Sequence, residues 1–267
     1  MPRVTANGIE LYYEIHGEGK PLVLISGLGY TLWQWHRMVP FLKEHFQVIT
    51  FDNRGVGQSD KPAGPYTAQM LAADTAGLLD ALGIEKAIIA GHSMGGFVAQ
   101  AMALDFQHKL EKLILCSTGF GGPRHVPPTP EAMKVLTDIS MDPVTRFKSG
   151  LAVSTAPGWA EKNPEIIEAW TQWRLANAVE PVHYQAQLAI GLGMAAEAAS
   201  FEPQLSRLNV PALILFGAHD KVVPPENASL LSEKIANSKV VILPDAGHFF
   251  PMESPEAASQ AVIDFAR

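Results

Sequence analysis

The stretch Lys86–Ala101, KAIIAGHSMGGFVAQA, decides the fold. Ala87-Ile88-Ile89-Ala90 is apolar without alternation, the pattern of a strand buried on both faces. Gly91-His92-Ser93-Met94-Gly95 follows at once, and Phe97-Val98-Ala99 with Ala101-Met102-Ala103-Leu104 predicts a buried helix. A serine held between glycines at a strand–turn–helix junction is the G-x-S-x-G nucleophile elbow. Such a turn is tight and strained so that it lifts the serine hydroxyl clear of the sheet, which requires small residues at positions 91 and 95. The helix beginning there also turns free backbone N–H groups toward the same point, which suits a developing negative charge. A chance Gly/Ser loop would match the pentapeptide alone. It would not supply the buried strand before it and the Gly95-Gly96 pair after it. Ser93 is the candidate nucleophile.

Toward the amino terminus, Val4-Thr5-Ala6, Asn7-Gly8 and Ile9–His16 predict a hairpin, since Asn-Gly is the strongest short turn signal. Leu22–Ile25 reads as a buried strand ending at Ser26-Gly27-Leu28-Gly29. A helix is expected over Trp33–His45 and a strand over Phe46–Phe51. Thr67–Leu82 is an amphipathic helix stopped by Gly83. Beyond the elbow helix, Leu110–Cys116 is another buried strand. Strands alternating with helices imply a mainly parallel sheet covered on both faces.

The alternation then breaks. Gly119–Pro130 is a Gly/Pro loop, and no strand pattern returns before Pro211. Helices are expected at Glu131–Ile139, Pro143–Val153, Pro164–Ala178 and Pro181–Ala196. An all-helical insertion in a βα chain is most simply a lid over the functional edge of the sheet. The expected division is a core of residues 1–121 and 201–267 with a helical lid over 122–200. Alternation resumes with strand Ala212–Phe216, helix Pro225–Ile235, strand Val240–Leu243 and helix Pro255–Ala266.

Length and composition agree with one large α/β domain carrying an insertion: 267 residues, 47% hydrophobic and 18% charged. A net charge of -7 with no basic stripe argues against nucleic acid as a partner. No apolar run approaches membrane-spanning length and none resembles a signal peptide, so the expectation is a cytoplasmic protein with no membrane partner. The single cysteine, Cys116, excludes an internal disulfide or a cysteine metal cluster and reads as a small core residue.

A serine hydroxyl needs a base, and the base needs an orienting acid. Useful groups sit at the C-terminal ends of strands, on the edge that carries Ser93. His248 qualifies, following Val240–Leu243 through Pro244-Asp245-Ala246-Gly247. The loop after Cys116 offers no carboxylate. The loop after Phe216, Gly217-Ala218-His219-Asp220, offers Asp220 as the acid. Asp245 lies too close along the same loop to buttress the far ring nitrogen. For the oxyanion, backbone N–H groups are expected from Met94 and from Leu28, which glycines flank. Phe120, Trp159, Val222 and Phe249 are the candidate substrate contacts. Arg124, His125, Arg174 and His183 leave room for a carboxylate on the substrate.

With these residues placed, the chain resembles the α/β-hydrolase superfamily over essentially its whole length. The resemblance is carried by Gly91-His92-Ser93-Met94-Gly95-Gly96, by Asp52-Asn53-Arg54-Gly55-Val56-Gly57-Gln58-Ser59, by Gly217-Ala218-His219-Asp220 and by Gly247-His248. It implies an eight-stranded, mainly parallel sheet with a lid after the sixth strand, and Asp52 and Arg54 as scaffold residues. Among subfamilies the chain looks most like small carboxylesterases, 3-oxoadipate enol-lactonases, cofactor-free haloperoxidase/perhydrolases and C–C bond hydrolases. Many members carry His-Gly where this chain has Ser26-Gly27. Ser93 sets it apart from dehalogenases and epoxide hydrolases, which use aspartate at the elbow. Gly27-Leu28-Gly29 with Asp52 has a dinucleotide-loop flavour, but Leu32 stands at its sixth position, and neither cofactor nor metal is expected. The expected activity is cleavage of a small-molecule ester or lactone through an acyl-enzyme. C–C bond cleavage or perhydrolysis on the same residues is the alternative, and a ligand receptor with slow hydrolysis is the alternative from another class.

Overall fold

The hairpin signal at Asn7-Gly8 is realised in backbone geometry. The computed structural model describes residues 2–267, and in it both turn residues take positive φ, 49° and 77°, as a two-residue hairpin turn of this type requires. Strands β1 (Arg3–Ala6) and β2 (Ile9–His16) pair antiparallel across it, Ala6 facing Ile9. Six further strands follow: β3 (Pro21–Ile25), β4 (Gln47–Phe51), β5 (Ala87–His92), β6 (Leu110–Cys116), β7 (Ala212–Gly217) and β8 (Ser238–Leu243). All eight form one sheet in the order β1-β2-β4-β3-β5-β6-β7-β8. β2 meets β4 antiparallel, and every pair from β4 to β8 is parallel.

The central strands are apolar without alternation because helices cover both faces. In β3, Val23 and Ile25 enter one core with Leu71, Leu79, Val98 and Met102, whereas Leu22 and Leu24 enter the other with Trp35, Leu42, Phe46 and Val262. The helices on these faces are α1 (Val39–Leu42), α2 (Ala68–Ala81) and α3 (Met94–Asp105), followed by an inserted group between β6 and β7. That group is α4 (Pro130–Thr137), α5 (Pro143–Ser154), α6 (Trp159–Lys162), α7 (Pro164–Ala176) and α8 (Pro181–Gly193). The chain closes with α9 (Glu226–Lys234), α10 (Phe250–Glu253) and α11 (Pro255–Ala266). No helix among the described residues is long and apolar enough to cross a membrane.

Two expectations need correction. The helix expected over Trp33–His45 is instead a 3-10 turn, Leu32–Trp35, and the short α1. Pro40 is the reason: it has no N–H to donate and its ring clashes with the carbonyl four residues back, so no helix runs through it from Trp33. Thr31 starts the 3-10 turn by accepting the Trp33 N–H. Among the inserted helices, α6 was not expected, and α7 and α8 end two or three residues early. The proline starts of α5, α7 and α8 are as expected, and α4 begins one residue earlier than expected, at Pro130, because proline fits the first helical turn, where its missing N–H costs nothing.

The junction of β5 and α3 tolerates no extra atoms. A Cβ at Gly95 would overlap the Ile25 carbonyl oxygen, and one at Gly91 would overlap the Gly95 carbonyl. Gly193, at the end of α8, has open space around it and no positive φ. Gly95→Ala is therefore expected to lower stability by about 1–3 kcal/mol through overpacking. Gly193→Ala is expected to be neutral or stabilising by up to about 1 kcal/mol. Urea unfolding midpoints decide it, and equal midpoints for the two variants would contradict this packing.

Candidate active site

Ser93 is the last residue before α3, and its backbone is held at φ 55°, ψ -118°. A residue with a Cβ occupies that region only under constraint from its surroundings. Here the constraint is visible. Ser93 N–H donates to the Cys116 carbonyl at 2.9 Å, tying the turn to β6. The Ser93 carbonyl accepts the Gly96 N–H at 2.8 Å and the Thr118 hydroxyl at 2.9 Å. Gly96 is small for its own reason, since a Cβ there would run into the Thr118 side chain.

His248 and Asp220 come from the loops after β8 and β7 and meet with His248 Nδ1 2.8 Å from Asp220 Oδ2. Both are buried. The other oxygen, Asp220 Oδ1, accepts the N–H groups of Val222 and Val223 at 2.9 and 2.7 Å, so the carboxylate is fixed before it meets the ring. Asp245 and His219, their sequence neighbours, are exposed.

Ser93 and His248 line one cavity of about 270 Å³, together with Leu28, Met94, Val222 and Phe249. Phe120 and Trp159 are not brought to it. Phe120 is 1% exposed within the core, on a backbone paired with Phe201, and Trp159 stacks on Trp170 at 5.5 Å between centroids. Both are large apolar side chains, and each finds more contact in packing than at a cavity wall. Of the polar residues in the inserted segment, His125 and Arg174 reach the cavity, joined by Arg146, whereas Arg124 pairs with Glu202 and Glu233 at the surface.

The loop after β3 distributes its N–H groups unequally. Gly27 N–H donates to Gln34 Oε1 at 2.8 Å and Gly29 N–H to Gln187 Oε1 at 2.9 Å. Among the described residues, the N–H groups of Leu28 and Met94 have no protein acceptor. Gln34 also fixes a histidine. Its Oε1 faces Gly27, so its amide nitrogen donates to His92 Nδ1 at 2.7 Å, which leaves the His92 proton on Nε2, 2.8 Å from the His248 carbonyl oxygen. Burial, with the nearby His248 ring adding to it, holds His92 well below the usual imidazole range, so it stays neutral.

Glu253, on α10, fastens the His248 loop from below. Its carboxylate accepts the Gly247 N–H at 3.0 Å and the Ala156 N–H at 2.7 Å, and Ala156 belongs to the inserted segment. Burial pushes its carboxyl up to about 7 despite these donors. Sequence reading assigned no role to Gln34, Gln187, His92 or Glu253. The available signal was an isolated polar residue in an apolar surround: Gln34 between two tryptophans, Gln187 in Ala186–Ile190, Glu253 after Phe249-Phe250-Pro251-Met252. Asp52 and Arg54 hold loops, as expected of scaffold residues. Asp52 accepts the Leu32 and Gln58 N–H groups, and Arg54 makes a two-pronged contact with Asp74.

The family model for the alpha/beta hydrolase fold matches residues 20–255. A 3-oxoadipate enol-lactonase of Acinetobacter baylyi is 30% identical, the match covering 97% of this chain and 94% of that protein. A 2-hydroxy-6-oxononadienedioate/2-hydroxy-6-oxononatrienedioate hydrolase of Burkholderia vietnamiensis is 31% identical over 99% of this chain and 94% of its own length. Among solved structures, a thermophilic esterase from Thermogutta terrifontis superposes with a TM-score of 0.84 at 33% identity, covering 100% of this chain and 98% of that one.

Glu253 yields a prediction about pH. Its carboxyl titrates near 7 in the folded chain, against an ordinary value of 4.5, so the folded state binds the proton more tightly than the unfolded state. Its contribution to stability is then fully present below about 4.5 and is lost as pH rises through about 7. The melting temperature of wild type minus that of Glu253→Gln is expected to fall between pH 5 and pH 8. A difference that stays flat across that range would contradict the assignment.

Proposed function

The chain belongs to the alpha/beta hydrolase fold family, and we propose that it is a serine hydrolase cleaving small-molecule carboxylic esters or lactones through an acyl-enzyme on Ser93. The observation that carries this reading is the shared cavity: Ser93, the Asp220-held His248 and two backbone N–H groups without acceptors converge on it. In the proposed reaction Ser93 Oγ attacks the acyl carbon while its proton passes to His248 Nε2. The imidazolium is stabilised through Nδ1–H by Asp220 Oδ2. Negative charge moves to the former carbonyl oxygen, which takes hydrogen bonds from Leu28 and Met94 N–H. His248 then protonates the leaving alkoxide, and water enters by the reverse sequence to release the acid and restore Ser93. No cofactor enters this scheme. A single buried cysteine fits a reduced, cytoplasmic setting.

Residues 122–200 act, in this reading, as a lid that closes the cavity. At about 270 Å³ the cavity lies at the small end of ligand sites, and Met94, Phe97, Phe147, Leu188, Met194 and Phe249 make its wall largely apolar. Short acyl groups fit it better than lipid chains. A second reading has a specific observation behind it. Arg146 and Arg174 line the cavity, and each keeps a buried Nε without a partner. Guanidinium groups so placed favour a lactone or vinylogous diketone bearing a carboxylate, the substrate type on which C–C bond cleavage would run with the same residues.

Ser93→Ala is expected to lower turnover by about 10⁶ and Asp220→Asn by about 10⁴, with His219→Ala close to wild type. More than a few per cent of activity in purified Ser93→Ala would remove the nucleophile assignment. Across p-nitrophenyl esters from acetate to palmitate, kcat/KM is expected to peak at short chains. A maximum at palmitate would overturn the small-substrate reading and leave the assignment of Ser93 standing.

A further inference from the structure

Leu28, the proposed oxyanion donor, lies between two glycines, and glycine flanks let a peptide plane rotate at little steric cost. Something must hold the planes on either side of it. On the core side, Gly27 N–H is taken by Gln34, and the Gly27 carbonyl, which shares a peptide plane with Leu28 N–H, accepts the Tyr30 N–H at 3.2 Å. On the other side the holding groups come from the inserted helices. Gln187 on α8 is fully buried; its Oε1 accepts the Gly29 N–H at 2.9 Å while its Nε2 donates to the Arg54 carbonyl at 2.9 Å. Arg174 on α7 donates Nη1 to the Gly29 carbonyl at 2.7 Å and lies 3.8 Å over the Tyr30 ring. Gly29, at φ 69°, is thus held by its N–H and its carbonyl from outside the sheet domain.

We infer that Gln187 is a positioning residue for the oxyanion hole: by fixing the Leu28–Gly29 peptide it keeps Leu28 N–H turned into the cavity, so that full hydrolytic rate requires α8 seated on this loop. The inference rests on the proposed reaction, in which Leu28 N–H receives the oxyanion. The physical basis is the asymmetry of hydrogen bonding in the loop. With Gly27 and Gly29 N–H both engaged by buried amides, Leu28 N–H is the one donor of the three left for a ligand. Releasing Gly29 permits the adjacent planes to turn, and the donor then loses its aim in the state where charge develops, with little effect on ground-state binding. Gln187 touches backbone on both sides and needs no contact with the substrate to do this.

The test uses Gln187→Met, which keeps length and volume but offers Gly29 N–H no oxygen, and Gln187→Glu, which keeps an acceptor oxygen there. With neutral p-nitrophenyl acetate, Gln187→Met is expected to lower kcat about 30- to 100-fold with KM within about threefold, short of the full loss of an oxyanion donor. A trifluoromethyl ketone, which forms a tetrahedral adduct with the serine, should bind this variant more weakly by a similar factor. Gln187→Glu should recover most of the lost turnover. A kcat within threefold of wild type for Gln187→Met, a change confined to KM, or equal losses in the Met and Glu variants would overturn the inference. If Gln187→Met does not fold, Arg174→Gln, which releases the Gly29 carbonyl, must show a kcat-selective loss on the same neutral ester. An unchanged kcat there overturns the inference equally. Activity surviving in Ser93→Ala would defeat the proposed reaction itself. An inactive Ser93→Ala beside a fully active Gln187→Met would defeat this inference alone.

Discussion

A serine backbone held at φ 55° is the constraint from which the rest of the site follows. A side-chain-bearing residue pays for that conformation, and it persists only where surrounding contacts leave no alternative. Three glycines, at 91, 95 and 96, remove the atoms that would force the turn open. The flanking strands then pin it, β6 through Cys116 and β3 through the Ile25 carbonyl that Gly95 approaches. The sheet order matters for the same reason. β5 sits between β3 and β6, so the loops that follow all three strands converge on the start of α3.

The loops that complete the site are held from two directions. The sheet supplies their anchor points, but the inserted helices supply much of the clamping. Phe249 N–H, beside His248, donates to the Ser154 carbonyl at the end of α5, and Glu253 joins Gly247 to Ala156. Gln187 and Arg174 do the corresponding work at Gly29. The buried relay Gln34–His92–His248 carbonyl ties the loop of β3 to the loop of β8 beneath the cavity. His92 is useful there because it is neutral: one ring nitrogen accepts and the other donates, and burial keeps it that way. The inserted helices thus help to hold the loops that carry His248 and Leu28.

The parts legible in the sequence were those governed by local rules. Continuous apolar runs gave the buried strands, Asn7-Gly8 gave the hairpin, and proline starts gave three of the inserted helices, α5, α7 and α8. Ser93, Asp220 and His248 are singled out by motif and chain order, and the structure sets the last two in hydrogen-bond contact. The failures have physical causes. Pro40 broke a helix that apolar spacing alone suggested. Phe120 and Trp159 are expected as cavity contacts, yet Phe120 is buried in the core and the partly buried Trp159 packs on Trp170. Gln187 holds Gly29 across 158 residues and Glu253 holds Ala156 across 97, and no local spacing encodes such a contact.

In the proposed reaction Ser93 alone becomes acylated. The most direct measurement is intact-mass and peptide mass spectrometry after treatment with a fluorophosphonate, which phosphonylates an activated serine by displacing fluoride. The account predicts one adduct per chain, on the peptide carrying Ser93, formed by wild type and absent from Ser93→Ala. Stoichiometric labelling on another residue, or an undiminished adduct in Ser93→Ala, would contradict it.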